Sequence, residues 1–168
     1  MDPSQCLFCG IVTGKIPAKK VYEDEHALAF LDINPRNPGH TLVIPKKHFE
    51  TILDMGEKDA GKLFESVRKV AAVVMSGTSS QGISIGQSNG QVAGQVVRHV
   101  HFHVIPRFAN EGPVGLEGAL PSKKIDDESM DKIAQAIKTA HAPHSHKEPE
   151  QEAKKPDKRH KEDIDFNF

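Results

Sequence analysis

No stretch of this chain approaches the roughly 20 consecutive apolar residues that a bilayer-spanning helix requires, so no membrane span is expected. Charge bias is absent too. The 22 Lys and Arg nearly balance 23 Asp and Glu, leaving a net charge of −1. A chain so close to neutral has no global electrostatic reason to bind nucleic acid or an anionic membrane. Any preference for phosphate must come from a local site. The run Met1-Asp2-Pro3-Ser4-Gln5 lacks the basic and apolar regions of a secretory signal, and a cytoplasmic location is the expectation. There is no internal repeat, and 168 residues fit one domain with a modest extension.

Cysteine is scarce, and its two occurrences lie close together as Cys6-Leu7-Phe8-Cys9. Thiols at this spacing form either a redox pair or half of a metal site. A redox pair normally follows a strand and opens a long helix. No strand-like run precedes Cys6, which favours metal.

Histidine is not scarce. In His99-Val100-His101-Phe102-His103-Val104-Ile105-Pro106 three imidazoles alternate with large apolar residues. On a β-strand this pattern puts all three rings on one face, about 6.6 Å apart, with Val100, Phe102 and Val104 on the other. Imidazole titrates near neutrality and serves as nucleophile, acid, base or metal ligand. Such a face therefore reads as a site.

Around it the periodicity predicts a short helix from about Gln5 to Thr13, closed by Gly14. Strands follow at Val21-Tyr22, His26 to Leu31 and His40 to Pro45, the last two separated by the loop Asn34-Pro35-Arg36-Asn37-Pro38-Gly39. A long helix is expected over Glu57 to Ser76. Its buried face would hold Ala60, Leu63, Phe64, Val67, Val70, Ala71 and Val74, with Asp54 and Glu57 as a capping box and Gly77 as the stop. Gly82 to Gln87 alternates as a strand, and Glu128 to Ala140 reads as a shorter helix with Met130, Ile133, Ala134 and Ile137 on one side. Residues 142–168 carry six Lys or Arg, seven Asp or Glu and three Pro. So few aliphatics cannot offset the ordering entropy, and a disordered tail is expected there, after one domain over 1–141.

The alternating run resembles the His-φ-His-φ-His-φ-φ motif of the histidine-triad (HIT) superfamily. Other stretches agree in order and spacing: Cys6-x-x-Cys9, Asp32 eight residues before His40, Pro38 to His48 (Pro-Gly-His-Thr-Leu-Val-Ile-Pro-Lys-Lys-His), and Asn89-Gly90 followed by Gly94-Gln95. The similarity spans about residues 4 to 140 and is closer to the Hint-like than to the Fhit branch. It implies an α+β fold in which an antiparallel sheet of about five strands packs against one long helix, with short N- and C-terminal helices. It also implies a homodimer formed through the long helix and a sheet-edge strand.

The resemblance further implies hydrolysis or transfer of a nucleoside monophosphate, most simply from a purine nucleoside 5′-phosphoramidate. His101 would attack the α-phosphorus, with its ring oriented by the His99 carbonyl. His103 would donate to a non-bridging oxygen and His40 would contribute from the neighbouring strand. Gln95 and Asn89 would contact phosphate, and Asp32 the ribose hydroxyls. Phe30, Leu31 and Ile33 would sandwich the base. Cys6, Cys9, His48 and His99 would hold a structural zinc ion, with no catalytic metal. Dinucleoside polyphosphate hydrolysis and non-catalytic nucleotide binding are the alternatives. One departure stands out. Where family members commonly carry Ser or Thr after the Gln, this chain has Val96, which implies slower turnover or leaving groups that need little protonation.

Overall fold

The computed structural model describes residues 3–111 and 123–140. The expected charged tail lies outside the described residues. In chain order the elements are α1 (Leu7–Val12), β1 (Lys20–Glu23), β2 (Ala27–Leu31), β3 (Thr41–Pro45), α2 (Glu57–Thr78), β4 (Gly82–Gly86), β5 (Phe102–Arg107) and α3 (Asp127–Thr139). The five strands form one antiparallel sheet in the order β1-β2-β3-β5-β4. The fold is α+β, as expected. No helix among the described residues is long and apolar enough to cross a membrane.

Both faces of the sheet are covered, and the alternation along β2 shows how. Ala27 and Ala29 face a core built with Val43, Val100, Phe102 and Val104 against Leu63, Val67, Val70 and Val74 of α2. Leu28 and Phe30 face the opposite side, where Leu42 and Ile44 meet Cys6, Phe8 and Ile11 of the N-terminal segment. Small side chains on one face let the long helix approach; large ones on the other seat the short helix. With both faces buried, β2 and β3 read as unbroken apolar runs.

Several boundaries differ from expectation for identifiable reasons. Asp54 caps a preceding 3-10 turn (Ile52–Asp54), in a reciprocal box with Thr51, so α2 begins behind Gly56 without a side-chain cap. Gly77 lies inside α2, which ends at Ser79 in the left-handed region (φ 54°). Phe64 is 59% exposed, whereas the polar Ser66 is buried on the inward face. In α3, Met130, Ile133 and Ile137 are all exposed. The histidine run joins the ladder only at Phe102. His99 and His101 precede the strand, yet the alternation holds, since Val100 and Phe102 point into the α2 core and His99 and His101 meet Phe8 on the other side.

Ser66 is inward because it has a partner. Its hydroxyl donates to Asp24 Oδ2 at 2.7 Å, and the same carboxylate accepts from Tyr22 Oη and from the backbone N–H groups of His26 and Ala27. Burial by itself would raise this carboxyl. The four donors outweigh it and hold Asp24 at about 2. Asp24 thus turns the β1–β2 connection and clamps it to α2. Because its pKa is depressed on folding, its contribution is complete above about pH 4 and is lost as pH falls towards about 2. Asp24→Ala should cost about 1–3 kcal/mol in urea unfolding at pH 7, with the gap to wild type closing between pH 4 and pH 2.

Candidate active site and metal centre

The histidines divide into two groups, one around the His99 ring and one around His101 and His103. His99 is fully buried, and its Nε2–H donates to the Pro45 carbonyl at 2.9 Å. A neutral imidazole carries one N–H, so its Nδ1 presents a lone pair. Burial pushes His99 down to about 4 and keeps the ring neutral. Its Nδ1 lies 3.4 Å from Cys6 Sγ, 3.6 Å from Cys9 Sγ and 3.3 Å from His48 Nδ1, while Cys9 Sγ lies 3.4 Å from His48 Nδ1. A tetrahedral ion with bonds of about 2.0–2.3 Å has donor–donor edges of about 3.3–3.8 Å. The four separations given fall in that range, and all four atoms lie within 4.8 Å of one another.

The donor chemistry fits as well. Both cysteines are free, and burial beside Cys6 pushes the Cys9 thiol up to about 11. Without a cation the Cys9 thiol therefore keeps its proton, and only a bound cation would stabilise two adjacent thiolates here. His48 turns Nδ1 toward Cys9 and His99, and its Nε2 is buried with no hydrogen-bond partner among the described residues. Cys6, Cys9, His48 and His99 are thus placed to hold a metal ion. The set draws on α1 and its N-terminal flank, the segment after β3 and the approach to β5, and would fasten the three together.

In the second group, His101 Nδ1–H donates to the His99 carbonyl at 2.7 Å, so its Nε2 keeps a lone pair. Phe8 packs edge-on against the ring at 5.3 Å between centroids, and His103 lies at 5.1 Å. His103 stands on the interior strand β5, paired with Leu42 of β3 and Gly86 of β4. Its Nδ1 is 2.9 Å from Nε2 of His40, which is buried at the entry to β3. Burial first, then the neighbouring rings, lowers His103 to about 4. His40 is lowered mainly by burial, with the Asp32 carboxylate opposing. His101, His103 and His40 thus stand ring to ring in a row, and Asp32 Oδ2 lies 3.5 Å from His40 Nδ1.

The remaining expected residues fall less simply. Gln95 is buried, and its amide is spent on the backbone: Oε1 accepts from Gly90 N at 2.7 Å and Nε2 donates to Glu50 O at 2.6 Å. It shapes the loop, and an outward-facing phosphate contact from this side chain is not what the structure presents. Asn89 pairs its amide with that of Gln87 (2.9 and 2.6 Å) and accepts from Ile52 N at 2.8 Å. One Nδ2 proton serves Gln87, and the group carries a second. Phe30 is buried against Phe8 at 5.6 Å, and Ile33 beside Asp32 is 91% exposed. Leu31 lines an apolar groove with Val21, Val70 and Val73, on the sheet face away from His101, and so cannot join a base sandwich there. Val96 is 91% exposed. Phe8, Gln87 and the Pro45 carbonyl were not legible as partners of the site, because apolar packing and backbone acceptors leave no motif; the His99 carbonyl entered only through the family resemblance.

Comparisons with known proteins agree with this picture. A family model described as the HIT domain matches residues 13–110. A HIT-like protein of Methanocaldococcus jannaschii is 49% identical over 122 residues, covering 73% of this chain and 94% of its own. An adenosine 5′-monophosphoramidase of Schizosaccharomyces pombe is 37% identical over 132 residues, covering 79% and 95%. The crystal structure of a HIT family member from Bacillus subtilis superposes with a TM-score of 0.73 at 38% identity, covering 83% of this chain and 99% of its own. The occupied amide of Gln95 carries its own test. Gln95→Ala strands a backbone donor and a backbone acceptor and should destabilise the fold by about 2 kcal/mol in denaturant unfolding. It should also raise the hydrogen-exchange rate of the Gly90 amide.

Proposed function

This chain belongs to the HIT family, and from that membership we propose that it is a nucleotidyl hydrolase or transferase that cleaves nucleoside 5′-phosphoramidates through a nucleotidyl-His101 intermediate. The observation that carries the reading is the hydrogen bond from His101 Nδ1 to the His99 carbonyl. It holds the proton on the far nitrogen, so Nε2 is a neutral nucleophile with its lone pair directed away from the backbone. Attack by Nε2 forms an N–P bond to the α-phosphorus and breaks the P–N bond to the amine. The amine departs with a proton from solvent, since Val96 has none to give. Water then attacks the phosphorus, releases the nucleoside monophosphate and returns the electron pair to His101. His103 donates to a non-bridging oxygen and steadies the charge as it moves.

Asp32, an acceptor-only carboxylate beside His40, suits the two ribose hydroxyls, and the second amide proton of Asn89 is available to a phosphate oxygen. The phosphoramidase name of the Schizosaccharomyces pombe relative favours an amine leaving group over a polyphosphate. We extend the reading to a homodimer. Phe64 and Val73 stand exposed on α2, and β4 is a sheet edge with unpaired backbone groups.

Zinc is the ion the metal centre suits best, since two thiolates and two neutral imidazoles at tetrahedral spacing are its preferred donors. Four protein ligands leave no open position for substrate, so zinc would supply structure, and the residues around it position the His99 carbonyl.

His101→Ala should lower turnover of adenosine 5′-phosphoramidate by at least about a thousandfold. Acid-quenched wild-type enzyme should yield a nucleotidylated peptide containing residue 101. Turnover without that adduct, or an adduct elsewhere, would contradict the covalent route. Protein purified without chelator should contain about one zinc per chain. Stripping the metal, or Cys9→Ser, should lower the unfolding midpoint by more than about 5 °C.

A further inference from the structure

His40 Nδ1 has two claimants, and which one it answers determines what His103 can do. The backbone N–H of Arg36 points at it with hydrogen-bond geometry at 3.1 Å. The Asp32 carboxylate stands at 3.5 Å, with its other oxygen accepting from Asn34 N. A neutral imidazole has one proton, and burial keeps both His40 and His103 neutral near pH 7.

If Arg36 N–H donates to His40 Nδ1, the His40 proton sits on Nε2. From there it donates across 2.9 Å to His103 Nδ1, and the His103 proton must sit on Nε2. If Asp32 instead captures a proton on His40 Nδ1, every bond in the chain reverses. His40 Nε2 then accepts from His103 Nδ1–H, and His103 Nε2 becomes a lone pair. One arrangement offers a phosphate oxygen a donor; the other meets it with an acceptor.

Asn37 secures the loop that decides between them. Its Nδ2 donates to the Pro106 carbonyl on β5 at 2.7 Å, and its own carbonyl accepts from His40 N at 3.0 Å. Its amide also reaches the Glu111 carboxylate, which Arg107 holds at 2.7 Å. Gly39 lets the loop close against the sheet. At φ +89° it adopts a backbone that other residues avoid, and a Cβ there would lie 2.5 Å from Thr78 Cγ2. The Arg36 N–H is therefore held in position from the C-terminal end of β5 and from its own chain neighbour.

We propose that Asn37 is a positioning residue that keeps the Arg36 backbone N–H on His40, so that His103 carries its proton on Nε2. The catalytic consequence rests on the phosphoryl-transfer reading above; the tautomers do not. They can be read directly in the full-length protein labelled with 15N-histidine, from two-bond ring correlations of the substrate-free enzyme. Wild type should show Nε2–H on both His40 and His103. Arg36→Pro deletes the donor itself and should move both protons to Nδ1. Arg36→Ala, which keeps the backbone N–H, should leave the tautomers as in wild type. Asn37→Ala should populate the reversed arrangement and lower kcat on adenosine 5′-phosphoramidate by about ten- to a hundredfold, with a smaller change in KM. If Arg36→Pro does not fold, Asn37→Ala supplies the same spectroscopic readout. The proposal is overturned if wild type carries Nδ1–H on either ring, or if folded Arg36→Pro or Asn37→Ala keeps the wild-type tautomers. Reversed tautomers with unchanged turnover would sustain the positioning and contradict the role given to His103.

Discussion

His99 is the residue on which the rest of the site hangs, because three of its polar groups face three different parts of the molecule. Nε2–H holds the Pro45 carbonyl at the end of β3, Nδ1 faces Cys6, Cys9 and His48, and the backbone carbonyl orients His101. A change in the ring would therefore be felt at the sheet, at the N-terminal segment and at the neighbouring imidazole together. Metal centre and proposed nucleophile share no side chain. They share one residue whose ring and backbone act separately. That division would let an ion held by the four side chains bear on His101 without touching it.

The sheet makes the division possible. With α2 covering one face and α1 the other, the histidine segment approaches β5 between two packed layers. Val100, Phe102 and Val104 anchor it in the α2 core, so the rings between them are fixed as a consequence of apolar packing. Burial then lowers His99 and His103 far enough to keep them neutral at pH 7, and neutral rings have defined donor and acceptor ends. A set of directional hydrogen bonds is the result, in place of a cluster of mutually repelling cations.

Much of this was legible in the residue order. The alternation of His99 to Val104 survives even though the ladder starts only at Phe102, because extended backbone sends successive side chains to opposite sides whether or not it is paired. The C-x-x-C spacing left a redox pair or a metal site, the lack of a preceding strand-like run favoured metal, and the two distant histidines that join it entered through the family resemblance. Less legible were the ends of α2. Thr51 competes with Glu57 for Asp54 and wins by forming its own 3-10 turn, a choice between two local hydrogen bonds that composition does not rank. Gln95 also reads differently in three dimensions. The family resemblance implied a phosphate contact, whereas here burial commits both ends of its amide to backbone partners.

What the order of residues determined alone is the set of chemical groups and their periodicity: which side of an extended run carries imidazole, where thiols recur, which helix has an apolar stripe. Those follow from backbone geometry within a few residues. Tertiary structure decided the protonation pattern. Whether a ring nitrogen is a donor or a lone pair depends on the group opposite it, and those groups are backbone atoms of Arg36, Pro45 and His99. Every residue but proline carries the same N–H, and every residue the same carbonyl, so only folding distinguishes the ones that matter.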